Sequence, residues 1–447
     1  MLIEFAATNF RSIKERQVLS MLPSERVKLE KRKNALFNVP GYKNLDILTL
    51  AGIWGRNSSG KSNLIKAFKA MKWLVLKSHT FTYGDSLKAN ESFAFDVKYH
   101  DMPTLFEMDF VGEDWKRYFY LIEFDEKEIY KEELHYYVIS DQEKTTRRKL
   151  YVRHKGDTIT YGEDFRGFRK VVEERTLPNV LFLSKSVQEN NAFLNPVFDF
   201  FKMGFAVSDF TEHQIDFQSR YFAKIAGEDN QKDLEILNNA LKSIDTGILQ
   251  LEIEKTNKLP KNIIIEPEDE LNEKQIKERE MFIDIFKTEI KAVHRVFEGN
   301  NEIGIERRAL QEESEGTRKF IAVFSAFMQI IKKGNLFVVD EFDKSFHPLL
   351  TKTLILLLAN PRINKNGAQL IFTTHDADLM DVLDNDQINL LQKDEYGATE
   401  IYAVSDIRGL RGDVSIAKRY LRGELEAIPT INHSAINRSL EVYYHDN

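Results

Sequence analysis

The chain carries the stretch Gly55-Arg56-Asn57-Ser58-Ser59-Gly60-Lys61-Ser62, which matches the pattern G-x-x-x-x-G-K-[ST] at every fixed position. An apolar run of strand length, Asp46 to Trp54, precedes it, and apolar residues at helical spacing follow in Lys61 to Leu76. A glycine-rich loop between a strand and a helix wraps phosphate with backbone N–H groups, aided by the helix dipole. We therefore expect Lys61 to reach the β- and γ-phosphates of a nucleotide and Ser62 to offer its hydroxyl to Mg²⁺. The stretch predicts a P-loop within an α/β fold.

A second strand ends in two carboxylates. The apolar run Leu336 to Val339 is followed at once by Asp340 and Glu341. Such a strand would deliver Asp340 to the sheet edge, where its carboxylate can hold Mg²⁺ through water. Glu341 would then orient or deprotonate an attacking water. The alternative is a buried strand that merely ends in surface carboxylates, and the P-loop elsewhere in the chain disfavours it.

Two further motifs suit contact with a nucleotide. His375 follows the strand-like run Gln369 to Phe372 and can contact the γ-phosphate there, although a lone histidine is usually structural or solvent-exposed. Ser314 precedes an apolar helix within Glu313 to Thr317 and can cap that helix. The same hydroxyl, together with Gly316 and the helix N-terminus, can also grip a γ-phosphate bound by another subunit.

The amino-acid composition excludes several classes of protein. The 447 residues are 42% hydrophobic and 30% charged, which is ordinary for a soluble globular chain, and the absence of cysteine excludes disulfides and thiolate metal sites. No apolar run approaches the ~18 residues that cross a bilayer, and the N-terminus lacks signal-peptide features. A cytoplasmic location without membrane contact is therefore expected by elimination.

The net charge of −7 gives no overall basic surface that would attract nucleic acid. Three local basic runs are expected to be solvated surface: Arg26 to Lys33, Arg147 to Lys149 and Arg408 to Arg422.

The order of elements predicts four segments. We expect an N-terminal lobe with the P-loop over 1–90, an antiparallel β meander with a returning strand over 91–194, a helical insertion over 195–300, and a C-terminal lobe over 301–447. Strands alternating with helices predict a largely parallel sheet in the two lobes. The strands expected in the β segment are Phe93 to Val97, Leu105 to Phe110, Tyr118 to Phe124, Leu134 to Ile139, Leu150 to Arg153 and Pro178 to Ser184. The elements expected in the last segment are helices at Thr317 to Ile331 and Pro348 to Leu358, and a hairpin of Ile388 to Gln392 with Glu400 to Val404.

The order P-loop, Ser-x-Gly before a helix, Asp-Glu and then His is that of ABC-type ATPases. The chain resembles the AAA-labelled group of ABC-like ATPases, close to the RloA and AbiLi type of bacterial anti-phage systems. It is similar more distantly to RecF, OLD and SMC-like repair heads. The resembling segments bracket nearly the whole chain: Asn9 to Ile13, Gly55 to Asn63, Ser314 to Thr317, Asp340 to Pro348, Thr373 to Asp376 and Tyr420 to Pro429.

The resemblance implies an ABC-type head that dimerises, or assembles further, around ATP and Mg²⁺. Each ATP would lie between Lys61 of one subunit and Ser314 of the other, and the loop Asp343 to His347 would cross the seam. The signature departs from the usual Leu-Ser-Gly-Gly form, because Glu315 replaces the first glycine. The family's Gln loop is best matched by Gln188, with Asn191 as the alternative.

The motifs predict an ATPase but do not show which process its ATP hydrolysis drives. The first hypothesis is the sensor and regulator of an abortive-infection system that controls a separate nuclease or toxin. The second is a RecF-like or SMC-like ATPase acting on DNA, which the acidic charge and the lack of a long coiled coil disfavour. The third is an OLD-like nuclease with metal ligands at Asp376 and Asp378. Only 72 residues follow His375, which is too few for the C-terminal Toprim domain of such a nuclease. Asp376 and Asp378 are therefore expected to begin a helix.

Overall fold

The computed structural model describes residues 1–139, 145–229, 231–244, 246–256, 259, 273–410, 414–425 and 427. Within these residues the strands are β1 (Leu2–Thr8), β2 (Gln17–Ser20), β3 (Phe37–Asn38), β4 (Asp46–Ile47), β5 (Leu50–Gly55), β6 (Thr104–Val111), β7 (Arg117–Phe124), β8 (Ile129–Ile139), β9 (Thr145–His154), β10 (Thr160–Tyr161), β11 (Phe205–Ser208), β12 (Ile248–Lys255), β13 (Thr288–Glu298), β14 (Asn301–Ala309), β15 (Leu336–Val339), β16 (Gln369–Thr373), β17 (Ile388–Lys393) and β18 (Thr399–Ala403).

The helices are α1 (Lys61–Lys77), α2 (Val97–His100), α3 (Lys170–Glu174), α4 (Phe182–Gln188), α5 (Asn195–Asp199), α6 (Glu212–Asp229), α7 (Gln231–Ser243), α8 (Glu273–Phe286), α9 (Glu315–Lys333), α10 (Pro348–Ala359) and α11 (Ile416–Leu421). Short 3-10 helices lie at Leu29–Lys31, Ser78–Thr80, Ala192–Leu194, Leu310–Glu312, Ala377–Val382 and Val404–Asp406, and a π-helical turn lies at Phe200–Gly204. None of the helices in the described part of the chain is both long and apolar enough to span a membrane.

A six-stranded sheet in the order β11-β15-β16-β5-β17-β18 forms the centre of the fold. Its first five strands run parallel, and β18 returns antiparallel to β17. Thr373 at the end of β16 lies in register with Ile53 of β5, and Val339 with Phe372. Because parallel strands finish at one edge of a sheet, β5, β15 and β16 deliver the residues that follow them to the same place.

The central sheet is buried on both faces. Leu336 and Val338 of β15 join one hydrophobic core, while Phe337 and Val339 of the same strand join the other. The first core continues through α1 into the antiparallel lobe, and the second through α9 and α10. A strand buried on both faces has a continuous apolar sequence, which is why the pattern Leu336 to Val339 predicted it correctly.

A seven-stranded antiparallel sheet, β10-β9-β8-β7-β6-β1-β2, forms the lobe beside the first core. Four of the five meander strands predicted from alternation are present as β6, β7, β8 and β9. The first predicted strand, Phe93 to Val97, is wrong: the segment is a loop that leads into α2. Asp96 caps that short helix by accepting a hydrogen bond from Lys98 N at 3.1 Å, and buried Phe93 packs against Tyr99.

The strand predicted at Pro178 to Ser184 is also wrong, because a turn leads here into α4, which begins at Phe182. Buried Glu132 of β8 accepts hydrogen bonds from Phe182 N at 2.6 Å and Leu183 N at 2.9 Å. A carboxylate on the first N–H groups caps a helix and favours its dipole. The apolar run fits a buried strand equally well, and only the cap from a distant strand decides for the helix.

The segment 195–300 holds the helices α6, α7 and α8 that its composition predicts, together with strands that it does not. The strand β11 joins the central sheet beside β15, and β12 and β13 form a separate antiparallel sheet with β14, which belongs to the next predicted segment. Charged residues pair across that sheet, as Arg307 Nε does with Glu252 Oε2 at 2.7 Å. Because these strands carry many exposed charged residues, the alternation of apolar and polar residues that predicts a strand is weak in their sequence.

Most of the remaining predicted helices and strands are present in the structure. The helices predicted at Thr317 to Ile331 and Pro348 to Leu358 and the predicted hairpin are present as α9, α10 and the pair β17 and β18. The single strand expected over Asp46 to Trp54 is divided into β4 and β5. The tail segment Tyr420 to Pro429 lies partly outside the described residues.

Candidate nucleotide-binding site

The P-loop leaves β5 at Gly55 and enters α1 at Gly60, which is the N-cap residue with φ of 109°. A Cβ on Gly60 would lie 2.2 Å from Thr399 Oγ1, so both the backbone angle and the close packing require glycine. The loop therefore places the free N–H groups of the first turn of α1 at the sheet edge. Such groups are a ready site for phosphate.

Lys61 lies buried in the first turn of α1. Its ammonium donates to Gly55 O at 2.7 Å and to Arg56 O at 3.1 Å. Burial lowers the pKa of Lys61, and the nearby carboxylates of Asp340, Asp343 and Glu341 act in the opposite direction. The cation is thus held over the loop, close to the acidic end of β15.

Residues distant in sequence support the P-loop from behind. The hydroxyls of Ser12 and Thr399 lie 2.8 Å apart, and Thr399 Oγ1 donates to Ser59 O at 2.8 Å. Asn63 Nδ2 donates to Ser12 Oγ at 2.7 Å, and Asn63 Oδ1 accepts from Arg11 Nη1 at 3.4 Å. This gives a structural role to the Asn9 to Ile13 segment, whose residues were singled out only by resemblance.

Thr373, at the end of β16, joins the two carboxylate residues after β15. Its hydroxyl donates to Asp340 Oδ1 at 2.5 Å and accepts from Glu341 N at 2.8 Å. Glu341 has φ of 49°, an uncommon angle for a residue with a side chain, and its carboxylate is half-exposed and 3.2 Å from Lys344 Nζ. The motifs in the sequence assign no role to Thr373. The sequence marks Thr373 only as a polar residue at the end of a strand, and in the sheet this strand pairs with the one that precedes Asp340 and Glu341.

These elements enclose an open cleft of about 490 Å³. His375 lies at its rim, and its backbone N–H donates to Asp343 Oδ2 at 3.4 Å. Lys393, at the end of β17, adds a second cation that the sequence analysis missed, because nothing near it in the chain marks it. The lining residues are Asn57, Ser58, Gly60, Lys61, Ser62, Asn63, Asp340, Glu341, His375 and Lys393.

Three residues assigned to nucleotide contact lie elsewhere. Ser314 is exposed at the start of α9, where its hydroxyl accepts from Thr317 N at 3.1 Å, and neither it nor Gly316 lines the cleft of its own chain. Gln188 is an exposed residue at the end of α4, held by Lys185 Nζ at 2.8 Å. The structure does not bring Gln188 to the cleft, because the segment before it forms α4 and not the predicted strand at 178–184. The alternative, Asn191, is buried behind the same helix.

The donors in the cleft fit a nucleotide-bound Mg²⁺. Ser62 supplies a hydroxyl and Asp340 a carboxylate, both oxygen ligands of the kind that Mg²⁺ prefers alongside water and phosphate. Within the described residues no three His, Cys, Asp or Glu side chains gather as an all-protein metal site. The two donors therefore suit a metal that arrives with the nucleotide. Asp376 caps the turn Ala377–Val382, where its carboxylate accepts from Asp378 N at 2.9 Å, as expected for the start of a helix.

Comparison with known proteins agrees with this geometry. A family profile described as "AAA domain, putative AbiEii toxin, Type IV TA system" matches residues 50–381 and confirms the resemblance to AAA-labelled ABC-like ATPases. The chain has the expected α/β fold, in which a mainly parallel central sheet carries the P-loop and an antiparallel β lobe packs beside it. No curated protein matches the sequence.

Several solved structures are similar to the chain. The SMC head domain from Thermotoga maritima has 15% sequence identity and a TM-score of 0.36, with 90% of this chain and 98% of that chain covered. An SMC head bound to the C-terminal winged-helix domain of ScpA has 12% identity and a TM-score of 0.43, with 94% and 99% covered. The recombination mediator RecF with ATPrS has 12% identity and a TM-score of 0.35, with 90% and 98% covered.

Proposed function

This chain belongs to the family of AAA domains described as putative AbiEii toxins of type IV toxin–antitoxin systems, and from that premise we propose that it hydrolyses ATP as the regulator of an anti-phage defence system. In this role it senses a trigger and controls a separate effector, a nuclease or a toxin. The toxin–antitoxin description of the family supports the defence role. The site itself supports the ATPase role.

One observation carries the ATPase proposal: Lys61, Asp340 and Glu341 arrive from two different strand ends at one open cleft. Lys61 neutralises charge on the β- and γ-phosphates, while Ser62 and Asp340 would hold Mg²⁺. The Mg²⁺, when bound, withdraws negative charge from the phosphates. The Glu341 carboxylate takes a proton from the water that attacks the γ-phosphorus, and ADP leaves with phosphate as the second product. His375 donates toward the γ-phosphate from the rim.

The position of Ser314 supports a site shared between two subunits. Its hydroxyl and the N-terminus of α9 are exposed and lie outside the cleft of their own chain. An exposed helix N-terminus attracts phosphate. In the proposed dimer, Ser314 and Gly316 of one subunit contact the γ-phosphate that is bound by Lys61 of the other.

A pull-down from the native host tests the proposal. Glu341→Gln protein loaded with ATP serves as bait, and Lys61→Ala protein, which cannot hold ATP, is the matched control. We expect a nuclease-like or toxin-like protein to be retained in one nucleotide state only. Retention of DNA regardless of sequence, without a protein partner, would contradict the defence role and favour the RecF-like or SMC-like alternative. Phosphate release measured on the wild-type chain tests the ATPase activity separately.

A further inference from the structure

The loop Glu341 to Phe346, called the 341–346 loop below, carries the proposed base and is held in an unusual conformation. Two of its non-glycine residues have positive φ, Glu341 at 49° and Ser345 at 68°. A positive φ strains a residue that has a side chain, and the conformation persists only where its surroundings fix it. The contacts that fix this loop therefore determine where the Glu341 carboxylate lies.

Lys319 of α9 supplies one set of these contacts. The side chain is 3% exposed, and its ammonium donates to Glu341 O at 3.3 Å, to Phe342 O at 3.5 Å and to Lys344 O. A lysine has three N–H donors, and all three are directed at carbonyls of one short loop. The ammonium also lies 4.9 Å from the centre of the Phe346 ring. One buried cation thus ties α9 to most of the 341–346 loop.

The first turn of α9 supplies a second set. Ser345 Oγ donates to Glu315 Oε1 at 2.6 Å. A Cβ on Gly316 would lie 2.9 Å from Ser345 O, so the helix backbone packs directly against the loop. Glu315 and Lys319 are four residues apart and share one face of the helix. The glutamate that replaces the usual glycine of the signature therefore has a definite contact, with the loop of its own chain.

We propose that Glu315, Lys319 and Ser345 form a latch that couples the N-terminus of α9 to the position of Glu341. This inference rests on the proposed function. In the proposed dimer, Ser314 grips the nucleotide of the partner subunit, while the next residue along, Glu315, holds the loop that serves the chain's own cleft. Displacement of the first turn of α9 then moves the loop, so binding at one cleft sets the hydrolytic competence of the other. Glu315, Lys319 and Ser345 are positioning residues, and Glu341 performs the chemistry.

Exposed latch residues allow a test that does not depend on replacing buried Lys319. The variants are Glu315→Ala, Ser345→Ala and the double variant, with Glu315→Gln as the conservative change that keeps an acceptor oxygen. Glu312→Ala is the matched control, because Glu312 is an exposed glutamate three residues earlier whose ion pair, 3.4 Å to Arg308 Nε, does not involve the loop. Hydrogen exchange of the amides in 341–346, ATP affinity and ATP turnover are measured for each full-length protein.

We expect Glu315→Ala and Ser345→Ala to speed exchange in the 341–346 loop and to lower turnover about fivefold, the effect of losing one charge-assisted hydrogen bond. ATP affinity should stay within about twofold of wild type, since the P-loop is untouched. The double variant should lose no more than either single one, because both remove the same bond. Glu315→Gln should restore most of the turnover, and Glu312→Ala should match wild type.

Unchanged exchange in both single variants would overturn the latch. Faster exchange with unchanged turnover would overturn its link to Glu341. Additive losses in the double variant would show that the two residues act separately, which also overturns it. If the wild-type chain releases no phosphate from ATP, the proposed function fails, and the exchange comparison still decides whether the latch holds the loop.

Discussion

At the scale of single residues, the site depends on hydroxyls and charges that connect neighbouring strand ends. Thr373 is the clearest case, since one buried hydroxyl serves both Asp340 and the backbone of Glu341. Replacing it leaves an N–H and a carboxylate oxygen without that partner, and an unmade buried hydrogen bond costs about 1–3 kcal/mol.

We expect Thr373→Val to lower ATP turnover by about ten- to a hundredfold while ATP affinity changes by less than about threefold. Valine keeps the shape of threonine and removes only the hydroxyl. Thr373→Ser is the matched control and should retain most of the turnover. Steady-state phosphate release and nucleotide titration measure the two effects, and equal turnover in the valine and serine variants would contradict the assigned role.

Glu341→Gln should reduce turnover by about a hundredfold or more, because the amide cannot accept the proton of the attacking water. ATP binding should persist, since Lys61 and the P-loop remain. Single-turnover measurements of phosphate release separate this loss from slow product release. Glu395→Gln, at the exposed hairpin turn, is the control for a general effect of removing a carboxylate. Wild-type turnover in Glu341→Gln would show that another group is the base.

Lys319 makes stability depend on pH in a defined direction. Burial lowers the pKa of Lys319 to about 8, against 10.5 for an exposed lysine. Between these values the unfolded chain binds more protons than the folded chain, so the contribution of Lys319 to the free energy of unfolding rises with pH and is flat below pH 8. Urea unfolding of wild type and Lys319→Met at pH 7.5 and 9.5 measures it. The difference between the two proteins should shift in favour of wild type at the higher pH, and a constant difference would contradict it.

At the scale of elements, Glu132 shows how a distant residue selects a helix. Its carboxylate is fully buried and accepts hydrogen bonds from Tyr120 and Tyr151, both at 2.8 Å, and from two backbone N–H groups of α4. Arg153 Nη1 lies 3.8 Å from the same carboxylate. One side chain thus connects three strands of the lobe sheet to the start of α4.

We expect Glu132→Gln to lower the free energy of unfolding by about 2 kcal/mol or more, because the amide group cannot accept all four bonds and leaves Arg153 without its buried partner. Equilibrium unfolding in urea measures the change. Glu126→Gln replaces an exposed glutamate of the same lobe and should change stability by less than about 0.5 kcal/mol. A loss no larger than that of the control would show that α4 does not depend on this cap.

The strand β11 is a second element that only the assembled sheet explains. Its four residues, Phe205 to Ser208, precede a long helical stretch and have no flanking motif. They complete the sheet by pairing with β15, and Ser208 O accepts from Asp340 N at 2.9 Å. The edge strand therefore fixes the backbone of Asp340 from the side opposite to β16.

At the scale of the whole molecule, the separation of Ser314 from its own cleft predicts that activity needs two chains. Lys61→Ala and Ser314→Arg proteins should each be inactive alone, the first for lack of phosphate binding and the second because the bulky cation blocks the N-terminus of α9. A mixed dimer restores one of two sites, so random pairing in an equal mixture allows at most about a quarter of wild-type turnover. The proposed latch lowers this value further, because the second cleft of the mixed dimer stays empty. Phosphate release against mixing ratio measures this. No recovery at any ratio would contradict shared sites.

Four features could be predicted from sequence patterns: the P-loop, the Asp340-Glu341 pair, the capped start of α9 and the parallel strands that carry them. Each of these is written in a continuous stretch, where spacing, apolar periodicity and a terminal polar residue give the structure directly. The family followed from the order of the same motifs. Residues whose role depends on adjacent residues in the sequence were therefore predictable.

The other features of the site follow from contacts between segments that are distant in the chain. The tertiary structure added Thr373 and Lys393 to the site, placed Ser12 and Thr399 behind the P-loop, and kept Gln188 away from the cleft. It also started α4 at Phe182, within the predicted strand, through the cap from Glu132, and assigned Glu315 a contact with Ser345. The physical reason is common to all: hydrogen bonds and burial between segments tens to hundreds of residues apart outweigh local preferences of a few tenths of a kcal/mol per residue.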